Sequence, residues 1–333
     1  MFALLLAVTL SVRPDPCYIE REGAHQSVNC DLIVAGADKP PDEIHVSVYD
    51  RSGALVLRRF IDGNGTRPSI RTIDIGEASA QMLIFNPFHT FDADVEIGSM
   101  TFEVKTGTET ATATVRPRHY EPKAKLILPL KGRQLVWDGH DFLSHHRRWD
   151  YTIPGLQQLG FRTNFMRYSY DFVPVDEKGN MFKGDEAKNE SWFGFGQELR
   201  AAAAGTVVSA ADAQPDSRSF TPQEIVDRGP MAVFGNYVVI DHGNGEFSVY
   251  GHIKQGSARV KAGDRVSRGD VVAAIGASGS SMFPHLHYEL QTGPDTNAEG
   301  LPSTFHDFER VRGGRRVKVS AGSVNTGEIL EGR

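Results

Sequence analysis

The stretch Pro-His-Leu-His-Tyr-Glu-Leu, residues 284–290, decides how the second half of this chain is read. His285 and His287 are one residue apart inside an apolar run of strand character. Side chains two apart on a strand point to the same face, so both imidazoles converge on one small site. The glycine-rich approach GASGSSMF, residues 276–283, delivers the chain into that strand, and His252 in SVYGHIK adds a third histidine. Three histidines in a β-rich context point to a metal centre with catalytic histidines beside it. Taken alone, an H-x-H is as often a pair of satisfied strand histidines; the surrounding residues shift that balance.

Working outward, residues 205–276 are dense with strand patterns: GTVVSA, GNYVVIDHGNG, EFSVYGHI and RVKAGDRVSRGDVVAAIG. Glycine recurs at nearly every turn, as tight hairpins require. Upstream, MRYSYDFVPVD reads as a strand ending at Pro174 or Asp176, and 176–192 as a polar surface loop. Residues 18–118 are also β in pattern. EIHVSVYD alternates Ile44, Val46 and Val48 inward, RSG turns the chain, and later segments repeat the period of two. Short strands at this spacing suggest a small immunoglobulin-like β-sandwich without catalytic spacing. The whole is expected to be all-β: an N-terminal sandwich followed by a compact antiparallel β-domain. The expected boundaries are 1–16 as an export segment, 17–118 as the sandwich, 119–125 as a linker, 126–300 as the second domain and 301–333 as a β extension.

Length and composition fit this division. The 333 residues exceed one ordinary domain, and 40% hydrophobic with 23% charged residues describes a globular protein with real cores. A net charge of -6 gives no global case for nucleic-acid binding. The basic cluster Arg310, Arg312, Arg315, Arg316 and Lys318 reads as a solvated strand face. The opening MFALLLAVTLSV resembles the apolar core of an export signal, though no basic segment precedes it; a first strand is the competing reading. It falls short of the roughly 20 apolar residues that span a bilayer. Cys17 and Cys30, the only cysteines, fit one disulfide in an oxidising compartment. Asn64-Gly65-Thr66 and Asn189-Glu190-Ser191 have the form of glycosylation sequons and no more.

The ordered set GNYVVIDHGNGEFSVYGHI, VKAGDRVSRGDVVAAIGASGSS and HLHYEL resembles the lysostaphin-type zinc endopeptidases, the peptidoglycan hydrolases of peptidase family M23. These pieces cover about a sixth of the chain; with YSYDFV and ELRAAAAGTVVSA the resemblance reaches most of 126–300. It implies a lysostaphin-type β-domain holding Zn2+, with His287 as a ligand. His285 and His252 flank the attacking water as general base and transition-state stabiliser. Such a division suits a zinc site with three protein ligands and a neutral imidazole titrating near working pH.

The family's first motif, H-x-G-x-D, is where this chain departs. Its aspartate falls on Asp171, but its histidine falls on Arg167, and a guanidinium cannot bind zinc. Either the site is degenerate or another histidine replaces the missing ligand. His146 in SHHRRWD is the expected ligand, with His145 as the alternative and His140 in DGHD a further source. A rival alignment takes His146 and Asp150 as the motif itself. Arg167 is left to pair with Asp171 or to meet a substrate carboxylate, the structural pair being preferred.

The remaining polar residues carry weaker signals. His242 and His306 read as structural, and Ser278, Ser280 and Ser281 as turn residues without the partners of a serine triad. The hairpin KAGDRVSRGDVVAAIG also looks like a biotinyl/lipoyl carrier but lacks a lysine at its tip. The expectation is therefore an exported zinc metalloendopeptidase, periplasmic or extracellular, acting on peptidoglycan cross-links. Its alternative is a catalytically inactive relative that regulates or binds the cell wall.

Overall fold

The structure is a computed structural model that describes residues 7–63 and 81–333. The sequon Asn64-Gly65-Thr66 and residues 1–6 of the opening apolar run lie outside the described residues. The chain divides into two compact units. One comprises Met1–Glu121 with Asp150–Gln158, the other Pro122–Trp149 with Leu159–Arg333.

In the first unit, strands 9–13, 31–35 and 81–85 form one sheet. A second joins 109–115, 99–106, 43–49 and 55–61, and a third joins 118–119, 18–22, 25–28 and 90–92. Alternation explains the core. Ile44, Val46 and Val48 are fully buried and meet Leu32, Val34, Ile84, Met100, Phe102 and Val104 in one cluster. What results is a layered β unit with a single core.

Two segments singled out in the sequence take the following places. Thr9–Arg13, placed in the export segment by its apolar character, is a strand paired along its length with Asp31–Ala35. Cys17 and Cys30 are not joined by a disulfide. Each is buried in the core, Cys17 Sγ donating to Pro14 O at 3.1 Å and Cys30 Sγ accepting from Asn86 Nδ2 at 3.4 Å.

The second unit is built on an eleven-stranded sheet. Its order runs 265–266, 205–211, 237–241, 247–251, 286–291, 170–174, 132–138, 329–332, 305–312 and 315–322, with 300–301 beside 286–291. The C-terminal residues thus belong to the same sheet, Ile329–Gly332 pairing with Gly132–Leu135. Helix is confined to short pieces such as Pro222–Arg228, which opens with a Thr221/Glu224 capping box. The central strands Tyr170–Pro174 and Leu286–Gln291 are buried at every position. Burial on both faces explains why they read as continuous apolar runs carrying a few polar residues.

Pairing register places the site. Gly251 lies opposite His287, His287 opposite Asp171, and Asp171 opposite Asp138 across four adjacent strands. Cross-strand partners have their Cβ atoms roughly 5 Å apart on a shared face. One row of the sheet therefore presents two carboxylates and an imidazole.

Candidate metal centre

Asp171 is the middle of the cluster. Its Oδ1 lies 3.1 Å from His287 Nδ1, 3.4 Å from His146 Nε2 and 3.4 Å from His285 Nε2. Burial alone would raise its pKa, but the charges of His146 and His285 beside it outweigh that and hold it well below the usual carboxylate range. His146, Asp171 and His287 offer ligand atoms that all lie within 4.8 Å of one another, and all three residues are buried.

His287 is held between two carboxylates. Its Nδ1 faces Asp171, and its Nε2 lies 3.2 Å from Oε2 of the fully buried Glu289, which also accepts from Ser169 Oγ at 2.7 Å. Burial pulls the imidazole pKa down, yet hydrogen bonds to Asp171 and Glu289 prevail and raise it to about 9. Glu289 follows the same period of two as His285 and His287, so the sequence carried its signal unused.

The two flanking histidines have defined tautomers. His252 Nδ1 is 2.8 Å from Ser278 O, and His285 Nδ1 is 2.8 Å from Phe283 O. A carbonyl oxygen only accepts, so each Nδ1 carries the proton and each Nε2 keeps its lone pair. The two rings lie 4.8 Å apart, and His252 stands 5.8 Å from the His287 ring. Burial, with His285 and His287 as neighbours, drives the His252 pKa well below its ordinary value, so the ring is neutral at neutral pH.

Backbone geometry fixes His252 firmly. Its φ of 58° is unusual for a residue with a side chain. Two main-chain bonds hold it there, His252 N to Phe234 O at 2.8 Å and Gly276 N to His252 O at 2.9 Å. The loop bearing Ser278 reaches it only because Gly235 and Gly279 touch. A Cβ on Gly235, whose φ is +65°, would stand 2.3 Å from Gly279 N.

His146 enters from the 139–149 segment rather than from the sheet. Its Nδ1 lies 3.2 Å from Gly139 O, and its fully buried Nε2 has no hydrogen-bond partner among the described residues. Burial lowers its pKa. A polar atom in that state is costly unless something else satisfies it. His145 points the other way, 58% exposed, with Nδ1 2.6 Å from Asp138 Oδ2. His140 is packed between the rings of Tyr168 and Tyr170 at 5.3 and 5.2 Å and lies in neither metal-competent group.

Arg167 corrects one expectation. It precedes the Tyr170–Pro174 strand and sits in a turn closed by Arg167 N to Asn164 O, off the strand face that carries Asp171. Its Nε binds Glu299 Oε1 at 2.6 Å instead of Asp171. The rival Asp150 serves its own turn, accepting from Thr152 N and Oγ1 at 2.9 and 2.6 Å. His242 bridges Ala204 O and Ser248 Oγ, His306 lies against Leu126 O, and Ser278 ties Asn236 N to Ile253 O. An aromatic wall flanks His285. Phe283 stacks on Trp192 at 4.8 Å and meets Trp137 edge-on at 5.0 Å.

An antiparallel sheet thus gathers a buried aspartate and four histidines on adjoining strands and loops, with three of them placed so that they could hold a metal ion. Comparison with known proteins gives a family resemblance: residues 193–298 match Peptidase family M23. The match includes His252, His285 and His287 and leaves out His146 and Asp171. Among curated relatives, the peptidoglycan DD-endopeptidase ShyA of Vibrio cholerae is 48% identical over 56 residues, 17% of this chain and 13% of that protein. The DD-carboxypeptidase/endopeptidase Mpg of Neisseria meningitidis is 40% identical over 67 residues, 20% of this chain and 15% of that protein. The aligned segments thus span under a fifth of either relative. Among solved structures, the catalytic domain of lysostaphin from Staphylococcus simulans is 19% identical, covering 43% of this chain and 92% of that one with a TM-score of 0.25.

Proposed function

We propose that this protein is an exported zinc metalloendopeptidase that hydrolyses peptide bonds in peptidoglycan cross-links. The observation that carries the reading is the convergence of His146 Nε2 and His287 Nδ1 on Asp171 Oδ1. Two imidazole nitrogens, His287 giving up its Nδ1 proton on binding, and one carboxylate are a donor set that zinc takes in catalytic sites. The buried, unsatisfied Nε2 of His146 fits such an ion. When bound by these three residues, zinc supplies Lewis acidity toward the scissile carbonyl and makes water a nucleophile at neutral pH.

The rest is done by the chain. His252, neutral and with Nε2 unprotonated, accepts the proton of the attacking water. His285, whose Nε2 lies 3.4 Å from Asp171 Oδ1, stands beside His252 as the second histidine facing the reacting atoms. Family resemblance gives the role of base to His285 and that of stabiliser to His252; here the proton transfer falls to His252. Ser278 O and Phe283 O hold both rings in the required tautomer. Trp137, Phe283 and Trp192 form an apolar surface against which a peptide can lie.

The peptidoglycan substrate is supported by the name of a relative, the peptidoglycan DD-endopeptidase ShyA, and the exported location is proposed because that is where such a substrate lies. Among the described residues no helix is long and apolar enough to cross a membrane. Incubating the full chain with purified, cross-linked peptidoglycan fragments and resolving the products by mass tests the reading. Cleavage at a peptide bond that stops on chelation and returns with zinc supports it. Zinc binding without any cleavage would favour the inactive, wall-binding alternative raised by Arg167.

A further inference from the structure

We propose that Asp138 is the positioning residue that delivers His146 to the metal, an inference that rests on the zinc reading above. Asp138 ends the Gly132–Asp138 strand, where the pairing register with Tyr170–Pro174 shifts between Val136 and Asp138. Irregularities of this kind re-aim a side chain at a sheet margin. Here the shift brings Asp138 opposite Asp171 and turns its carboxylate toward the incoming 139–149 segment.

One oxygen of that carboxylate gathers both histidines. Asp138 Oδ2 accepts from the His145 backbone N–H at 3.1 Å, lies 2.6 Å from His145 Nδ1, and stands 3.4 Å from His146 Nδ1. The side chain is only 10% exposed, so these contacts form away from bulk water. Gly139 O, at 3.2 Å, is a second acceptor for His146 Nδ1. Two acceptors on one side of the ring place the proton on Nδ1 and leave the Nε2 lone pair facing Asp171. Histidines that bind metals characteristically donate their other N–H to a carboxylate or carbonyl, which fixes ring orientation and raises ligand basicity.

The same three residues, Asp138, His145 and His146, also lie close enough to hold an ion themselves. That alternative conflicts with the first site. It would require both nitrogens of His146, whereas a neutral imidazole keeps a proton on one of them. Anchoring is the role compatible with a loaded His146–Asp171–His287 centre. It also explains how a histidine outside the strand substitutes for one at position 167: the anchor lies on the strand next to Asp171.

The test uses the full chain, with zinc affinity measured by competition against a chromophoric chelator and the visible spectrum of the cobalt-loaded protein as a second readout. Asp138→Ala is expected to weaken zinc about 10- to 100-fold and to alter the cobalt absorption. Asp138→Asn keeps an acceptor for the His145 N–H and is nearly isosteric, so it guards against misfolding; a loss between wild type and Asp138→Ala is expected. Wild-type affinity and an unchanged cobalt spectrum in both variants would overturn the role of Asp138. Wild-type protein that takes up no zinc would overturn the zinc reading and this inference together, a result distinguishable from the first.

Discussion

His146 Nε2 and Asp171 Oδ1 stand 3.4 Å apart, both buried, although 25 positions separate them and only one lies on a strand. Family resemblance would have put a histidine four residues before Asp171. The chain has Arg167 there, in a turn and bound to Glu299. The imidazole arrives instead from a segment that leaves the neighbouring strand at Asp138. Folding, rather than local sequence spacing, thus completes the donor set.

Arg167 is expected to be structural. Removing one member of a buried ion pair costs about 3 kcal/mol or more, because the partner charge stays behind. Arg167→Ala should therefore lower the thermal unfolding midpoint clearly while leaving zinc stoichiometry intact. Loss of zinc with unchanged stability would place Arg167 in the metal site after all.

His252 and His285 are expected to serve the reaction without holding zinc. His252→Ala and His285→Ala should each reduce kcat by about a hundredfold to ten-thousandfold, the usual range for proton transfer by a positioned side chain. Metal analysis of the same preparations should give the wild-type zinc content. Near-normal turnover in either variant would remove that residue from the chemistry.

Zinc affinity should depend steeply on pH. The His287 pKa is raised to about 9, by hydrogen bonds to Asp171 and Glu289 that outweigh burial. Its Nδ1 proton must leave before that nitrogen can bind a metal. Below about pH 9 the affinity should fall about tenfold per pH unit, with about one proton released per zinc bound. Isothermal titration in buffers of different ionisation enthalpy measures this directly. A flat affinity between pH 6 and 8 would contradict it.

Much of this was readable from residues alone, for identifiable reasons. His285 and His287 converge because a strand repeats every two residues, and the same rule would have exposed Glu289. Ile44, Val46 and Val48 alternate in sequence and are buried as alternation requires. The partner of Arg167 was not legible because Arg167 sits in the turn before the strand that begins at Tyr170 and binds Glu299, far along the chain. Asp138 gave no local signal, since its role comes from cross-strand register and a bulge. Thr9–Arg13 left a leader and a first strand both open in the sequence, because a short apolar strand and a short apolar leader share a composition, and it forms a strand. The spacing of Cys17 and Cys30 was compatible with a disulfide, but spacing does not specify pairing.

The glycine contact behind His252 gives a further expectation. Gly235→Ala puts a Cβ against Gly279 N at a positive φ, so one of the two loops must move. The variant should lose at least about 1 kcal/mol of stability from the backbone conformation alone. Ser278 O should also be displaced from His252, lowering kcat in whatever protein remains folded. Unchanged unfolding and kinetics would show that the two loops are not held together as described.

The most direct measurement of the central claim is zinc content per chain, by elemental analysis of dialysed protein, for wild type, His146→Ala and His145→Ala. The account predicts one zinc in wild type, essentially none in His146→Ala and about one in His145→Ala. Full zinc in His146→Ala would contradict it, showing that the third ligand comes from elsewhere.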